Sequence, residues 1–468
     1  MSSASSSPLR PFAFGASAAR PRLTFLPENR TVSPTEVLQV KIVLIGAGSF
    51  VFGPSVLLQA IVEQRLDGAQ LVMLDVDGEV ANLMAGVGNR MARDAGVNIQ
   101  VIASTNRFDA LANADFVINC AARQLYSRFQ RDCQITRDIY PEHLITEFGG
   151  VQGISYSLRQ IALLEEIIAD MKKQCPNAWL FNVANPLPRV AQAAHELGIK
   201  TVGFCSASQE TYAVLWQLFT GEKTHYPWPA PSANWQLTMA GTNHFSWLLQ
   251  FTEKSTGKDL LPELAAKLRA GASIGQKRSE KLFQQTGCLL FPNDNHTKDF
   301  LQPDGTVTDS TMAGHGDASE RQARLTLLKD IAEGKSPVDP LLTHRSWEHP
   351  LALVAALTRN KPAAFHSLNL INHGQLPQLP RNVFVETPAT ADARGIVPQT
   401  LTLPAPVLPY VQNAAAVSDT IVQAALKRSK RLLRDAIERD PTILDKKRGL
   451  AALEACLTAH ADVLPTYS

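Results

Sequence analysis

The sequence predicts an α/β fold, a Rossmann-type doubly wound parallel sheet followed by an α+β domain for substrate binding and oligomer contacts. Three observations carry this. From about residue 40 to 205, short continuously apolar runs alternate with helical spacings, the pattern of parallel strands covered on both faces by crossover helices. The first run ends in a Gly-x-Gly turn that opens a helix. Beyond residue 205 that rhythm stops and longer apolar strands, turn-rich chain and a helical C-terminus follow. The expected organisation is a disordered or targeting-like tail over 1–38, a dinucleotide-binding domain over 39–205 and an α+β domain over 206–468.

In chain order, "VKIVLIGAGSF" is a strand ending in glycines, and "GPSVLLQAIVEQRL" is the helix it opens. "AQLVMLDVD" is the second strand, "EVANLMAGVGNRMARDAG" a helix and "NIQVIAST" the third strand. A short helix, "RFDALANA", leads to the strand "DFVINCAA". A long helix is expected from about Tyr156 to Gln174, before the strand "AWLFNVANP". The helix "LPRVAQAAHELG" then feeds the strand "KTVGFCS". Downstream, "WQLTMAGTNHFSWLLQFT" holds apolar strands, "INHGQLPQLPRNVFVETPATAD" reads as extended or turn-rich, and the last fifty or so residues read as helical. "AGHGDASER", Ala313 to Arg321, is expected to be a structural turn.

Composition excludes several classes. The 468 residues are 45% hydrophobic and 19% charged, which suits a chain with a substantial core. Forty-five basic residues face 43 acidic ones, so no cationic footprint calls for nucleic acid. The six cysteines have no CxxC pairing and read as reduced thiols of a cytoplasmic protein. No apolar run reaches the roughly 20 residues of a membrane span.

Several stretches could bear chemistry. Gly46, Gly48, Ser49 and Phe50 form a turn where backbone can approach a pyrophosphate at a helix N-terminus. The third glycine of the usual fingerprint is missing: Val51 stands there and Gly53 comes two residues late. Asp75 ends the second strand, where a carboxylate binds ribose hydroxyls and repels a 2′-phosphate, favouring NAD over NADP. Asn185 in "NVANP" is either a turn residue or a holder of a sugar hydroxyl. Cys205 is core packing or, with His244 in "TNHFSW", a ligand to a divalent ion with positions left open for substrate oxygens. In "FPNDNHTKDF", Asp294, His296 and Asp299 form either a base-bearing loop or a solvated turn. Arg123, Arg128, Arg131 and Arg137 form either an anion site or a salt-bridged helix face.

Taken in order, "KIVLIGAGSF", "VMLDVD", "RDCQITRDIYPEHLITEFGGVQGISYSLRQI", "AWLFNVANP", "GFCSAS", "TNHFSW", "NDNHTKDF" and "INHGQLPQLPRNVFVETPATADARGIVPQTLTLP" resemble glycoside hydrolase family four from about Lys41 onward. That family stands outside the usual two-carboxylate scheme for glycosidases. The resemblance implies oxidation of substrate C3 by NAD, metal-assisted loss of the C2 proton, departure of the aglycone, addition of water and return of the hydride. It implies that Gly46, Gly48, Ser49, Phe50 and Asp75 bind NAD, and that Cys205 and His244 bind Mn²⁺ or another divalent metal. It further implies that Asn185 and Arg131 bind substrate and that Asp294 is the base. The substrate is then a small-molecule glycoside, α-galactoside- or α-glucoside-like, and the assembly a homodimer or homotetramer. One departure stands out. Ser206 occupies the position after the metal cysteine, where many members place His, Asp or Asn, and a serine hydroxyl is a poor acid for the leaving group. A net NAD-dependent oxidoreductase of the malate or lactate dehydrogenase type, and a non-catalytic NAD-binding protein, are the competing readings.

Overall fold

In the computed structural model the described residues are 39–310, 318–342 and 346–468. The tail expected over 1–38 lies outside them, as does the first part of the turn expected at Ala313–Arg321. The described remainder of that turn opens the helix Ala318–Ala332.

Six strands, β1 (Lys41–Ile45), β2 (Gln70–Leu74), β3 (Gln100–Ser104), β4 (Phe116–Asn119), β5 (Trp179–Asn182) and β6 (Lys200–Gly203), pair in parallel in the order 3-2-1-4-5-6. This is the Rossmann order. The sheet does not stop there. β7 (Trp235–Thr242), β8 (Phe245–Glu253), β9 (Ala363–Ile371), β10 (Phe384–Asp392) and β11 (Gly395–Pro398) continue it with antiparallel pairings, β9 joining β6 through Gly203 and Asn369. One sheet therefore runs through both halves of the chain.

Alternation within each strand sends side chains to two cores. Ile42, Leu44, Phe116 and Ile118 face the helix Gly78–Ala95 and the helix Pro350–Arg359. Val43, Val72, Val117 and Leu180 face the helix Gly150–Gln174 and the C-terminal helices Leu408–Lys427, Lys430–Arg439 and Lys446–Ala459. C-terminal chain thus covers one face of the N-terminal sheet, and burial of these apolar faces drives the association.

The long helix begins at Gly150, earlier than the expected Tyr156. Its first turns look unfavourable because they hold Gly150 and Gly153. Contact explains both the choice and the extension. A Cβ on Gly149 would lie 2.2 Å from the Asp299 carbonyl oxygen, and one on Gly153 would lie 2.0 Å from that of Phe148. The glycines let the chain "EFGG" press against "KDF".

Candidate active site

β1 delivers Gly46 to its carboxyl end with φ +89, a conformation that favours glycine. A Cβ on Gly48 would lie 2.8 Å from Val80 and 3.0 Å from Asp75 Oδ2. The Gly48 N–H donates to Asp75 Oδ2 at 2.7 Å, so the carboxylate from β2 also holds the loop. Ser49 Oγ accepts the Phe52 N–H at 3.2 Å, and the Arg321 guanidinium sits 5.3 Å over the Phe50 ring. Gly53 plays the part of the missing third glycine. A Cβ there would lie 2.5 Å from the Ala47 carbonyl oxygen and 2.7 Å from Met84. The close helix–strand approach is kept, two residues later in the chain.

At the far edge of the parallel set, Cys205 follows β6. Its Sγ lies 3.3 Å from His244 Nε2. His244 sits in the two-residue turn of the β7–β8 hairpin, where Thr242 pairs with Phe245, and it has φ +62. A histidine in this region is uncommon and strained, which points to function. Its ring is stacked by Phe148 at 4.7 Å and met by His296 at 4.2 Å. Burial, then His296, holds the imidazole well below its usual range, so it is neutral. Burial, then Glu348 and Glu386, pushes the Cys205 thiol up. The Asn243 amide donates to Glu386 Oε2 at 3.0 Å, and Glu386 also accepts from Ser208 Oγ at 2.7 Å.

Would this pair suit a metal? With a sulfur ligand at about 2.3 Å and a nitrogen at about 2.0 Å, donors on one ion sit about 3.1–3.5 Å apart for angles between 90° and tetrahedral. The observed 3.3 Å fits. His244 Nδ1 is buried without a hydrogen-bond partner. Among the described residues no cluster of three or more His, Cys, Asp or Glu is gathered to hold a metal. The pair therefore offers two protein ligands and leaves coordination positions open.

Asp294 is placed otherwise than expected of a base. Its Oδ2 accepts the Arg278 N–H at 2.8 Å, and its Oδ1 accepts the Ser279 N–H and Oγ at 3.0 Å each. Both oxygens serve the first turn of the helix Lys277–Thr286, a capping role. From the same loop it is His296 that reaches the metal pair. The arginine cluster also divides. Arg123 pairs with Glu166 at 3.0 Å, Arg128 with Asp462 at 2.5 Å, and Arg137 with Asp309. Arg131 is exposed on the helix Leu125–Ile139, while its neighbour Asp132 is fully buried. A salt-bridged helix face is what Arg123, Arg128 and Arg137 form, and the exposure of Arg131 weighs against the substrate role expected of it.

Asn185 Nδ2 donates to Glu147 Oε1 at 3.3 Å. Burial pushes Glu147 up to about 7, against the opposing effects of Asn185 and Lys298. Asp299 accepts the Phe148 N–H at 2.9 Å and the Glu147 N–H at 3.2 Å. Burial, then Glu147, pushes Asp299 up to about 8. Glu147 directly precedes the phenyl ring that stacks on His244. Nothing periodic in the sequence marks Glu147 within its block. Ser206 is buried, its Oγ facing the Ser367 carbonyl at 3.3 Å, and its N–H donates to the Glu348 carboxylate.

The geometry is that of a Rossmann-ordered sheet with the Cys205–His244 contact at the carboxyl edge of its parallel set. The chain belongs to the family 4 glycosyl hydrolases: that family's model matches residues 41–220, and the model of its C-terminal domain matches 239–443. It is 27% identical to an alpha-galactosidase of Bacillus subtilis over 451 residues, covering 91% of this chain and 99% of that protein. Its fold is similar to that of a 6-phospho-alpha-glucosidase from gut microorganisms in complex with NAD and glucose-6-phosphate. That match has a TM-score of 0.74 and 19% identity, over 92% of this chain and all of that one. A 6-phospho-beta glucosidase from Thermotoga maritima with manganese, NAD⁺ and glucose-6-phosphate matches with a TM-score of 0.68 and 18% identity, over 91% of this chain and all of that one.

Proposed function

We propose that this glycoside hydrolase cleaves α-glycosides by transient NAD-dependent oxidation at sugar C3 and metal-assisted loss of the C2 proton. When bound, NAD supplies a hydride acceptor and Mn²⁺ or a similar cation supplies charge stabilisation at substrate oxygens. The observation that carries this is the facing of Cys205 Sγ and His244 Nε2 at 3.3 Å, on the edge of a sheet whose first turn is built for a dinucleotide.

Gly46, Gly48, Ser49 and Phe50 present backbone to a pyrophosphate, and Asp75 presents a carboxylate to ribose hydroxyls while steadying Gly48. Cys205 and His244 hold the cation; His244 is already neutral, the form that ligates, and a bound cation would deprotonate the thiol. Asn185 holds a sugar hydroxyl. Glu147 shares that hydroxyl's surroundings and exchanges its proton near neutral pH, so it takes the proton-transfer part expected of Asp294. Ser206 supplies no acid; its hydroxyl lies against Ser367.

Acids, amides, hydroxyls and imidazoles surround the pair, and Arg123, Arg128 and Arg137 are each matched to an acid. This supports a neutral sugar over a phosphorylated one, and the Bacillus subtilis alpha-galactosidase supports the α preference. Six free cysteines support a reducing, cytoplasmic setting, and a homodimer or homotetramer is kept as the expected assembly. No helix among the described residues is long and apolar enough to cross a membrane.

The test is a panel of 4-nitrophenyl α- and β-galactosides and glucosides with NAD⁺, Mn²⁺ and reductant. Turnover without accumulating NADH, with deuterium from solvent entering C2, is expected. Stoichiometric NADH would instead mean net oxidation.

A further inference from the structure

Beside the metal pair stands an aromatic group that the chemistry above leaves unused. Trp228 stacks on Trp347 with ring centroids 5.6 Å apart and planes at 23°. Tyr226 meets Trp228 edge-on at 5.0 Å and Trp347 at 6.1 Å. The Tyr226 hydroxyl donates to the Ser346 carbonyl at 2.9 Å and lies 2.9 Å from His349 Nε2. Trp228 is buried, whereas Trp347 is half-buried. Trp347 thus packs one ring face against Trp228 while the residue as a whole keeps part of its surface exposed.

The backbone ties that ring to the reaction centre. The Glu348 carboxylate accepts the Ser206 N–H, one residue past Cys205. Gln209 Nε2 donates to the Trp347 carbonyl at 3.5 Å. Gln59 Nε2, from the chain after the dinucleotide loop, donates to the Glu348 carbonyl at 2.8 Å. A rigid indole suits the apolar face of an uncharged pyranose. Glu348, and Glu63 at 4.0 Å from His349, disfavour an anionic ring there.

We propose that Trp347 is the platform of the leaving-group subsite, stacking an uncharged sugar ring as it departs from the centre at Cys205. The inference rests on the glycosidase reading.

The experiment compares 4-nitrophenyl α-galactoside with methyl α-galactoside on the full chain with NAD⁺ and Mn²⁺, as wild type, Trp347→Ala and Trp347→Phe. Loss of the platform should raise KM for the nitrophenyl glycoside about ten-fold, leave the methyl glycoside within about two-fold, and be largely rescued by phenylalanine. Equal effects on both glycosides, or none on either, would overturn the platform. Calorimetric affinities for the same two glycosides read the platform independently of turnover. An unaltered chain that binds with this preference yet hydrolyses neither would count against the glycosidase reading and keep the platform.

Discussion

His296 meets the ring of His244 at 4.2 Å, while Asp294, two residues earlier in the same turn, accepts three hydrogen bonds from the start of a neighbouring helix. The loop therefore separates a residue that faces the centre from one that holds the loop's neighbour in place.

Replacing Asp294 by Ala should cost about 1 kcal/mol of stability, as for a lost helix cap. The kcat of the folded enzyme should stay within about three-fold. Urea denaturation beside initial rates separates the two effects, and a loss of kcat of a hundred-fold or more at unchanged stability would restore Asp294 as the base.

His244→Asn keeps a residue type that accepts a left-handed turn while removing the imidazole. Mn²⁺ affinity, followed by calorimetry, should fall at least ten-fold, and Cys205→Ala should do the same. Retention of full Mn²⁺ affinity in both would place the metal elsewhere.

Glu147 and Asp299 both have folded-state values raised above those of free carboxyls, to about 7 and about 8. Between the unfolded value and those values the folded protein binds more protons, so stability falls as pH rises through that window and levels off above it. The thermal midpoint should therefore be higher at pH 5.5 than at pH 8, and Glu147→Gln should flatten part of the difference. In the pH–rate profile, the limb near pH 7 should disappear in Glu147→Gln; persistence of that limb would remove Glu147 from proton transfer.

Gly53→Ala places a methyl group 2.5 Å from the Ala47 carbonyl oxygen. Such overpacking costs about 1–3 kcal/mol, and NAD affinity should weaken with it because the loop is displaced. Thermal midpoints with and without NAD measure both. An unchanged midpoint would show that the helix is free to back away.

Asp132 is fully buried, 2.7 Å from Arg159 and 2.9 Å from His460. Asp132→Ala should cost about 3–5 kcal/mol, since it strips the partner from a buried guanidinium. Arg131→Ala, exposed next door, should change neither stability nor kcat/KM by more than about two-fold. Denaturant midpoints and rates for the two variants check this contrast.

The parallel strands were legible because each is a short, continuously apolar run, and a buried sheet needs that composition wherever it sits. Gly46, Gly48 and Asp75 were legible for a similar reason: the tight turn after β1, held by Asp75, narrows the residue types allowed. Cys205 and His244 became legible only as part of an ordered set of blocks, and the structure brings them together. Glu147 escaped notice because the burial that lifts its proton affinity comes from chain far away in sequence, such as the segment of Asp299 that accepts its N–H. Asp294 and His296 could not be told apart because which of them turns toward His244 depends on a helix that starts at Lys277. The contact between Asp132 and His460 spans 328 positions and leaves no local trace.

Consider finally the single pairing that joins β6 to β9, Gly203 with Asn369. Cys205 comes two residues after that junction, and among the described residues the strands that carry His244 join the parallel part of the sheet through it. An N-terminal fragment ending near residue 205 would keep the glycine turn but present a bare strand edge and Cys205 without His244. In such an enzyme, recombination between relatives cannot trade the N-terminal half for the C-terminal half at that boundary without rebuilding the shared seam. The two halves are constrained to change together.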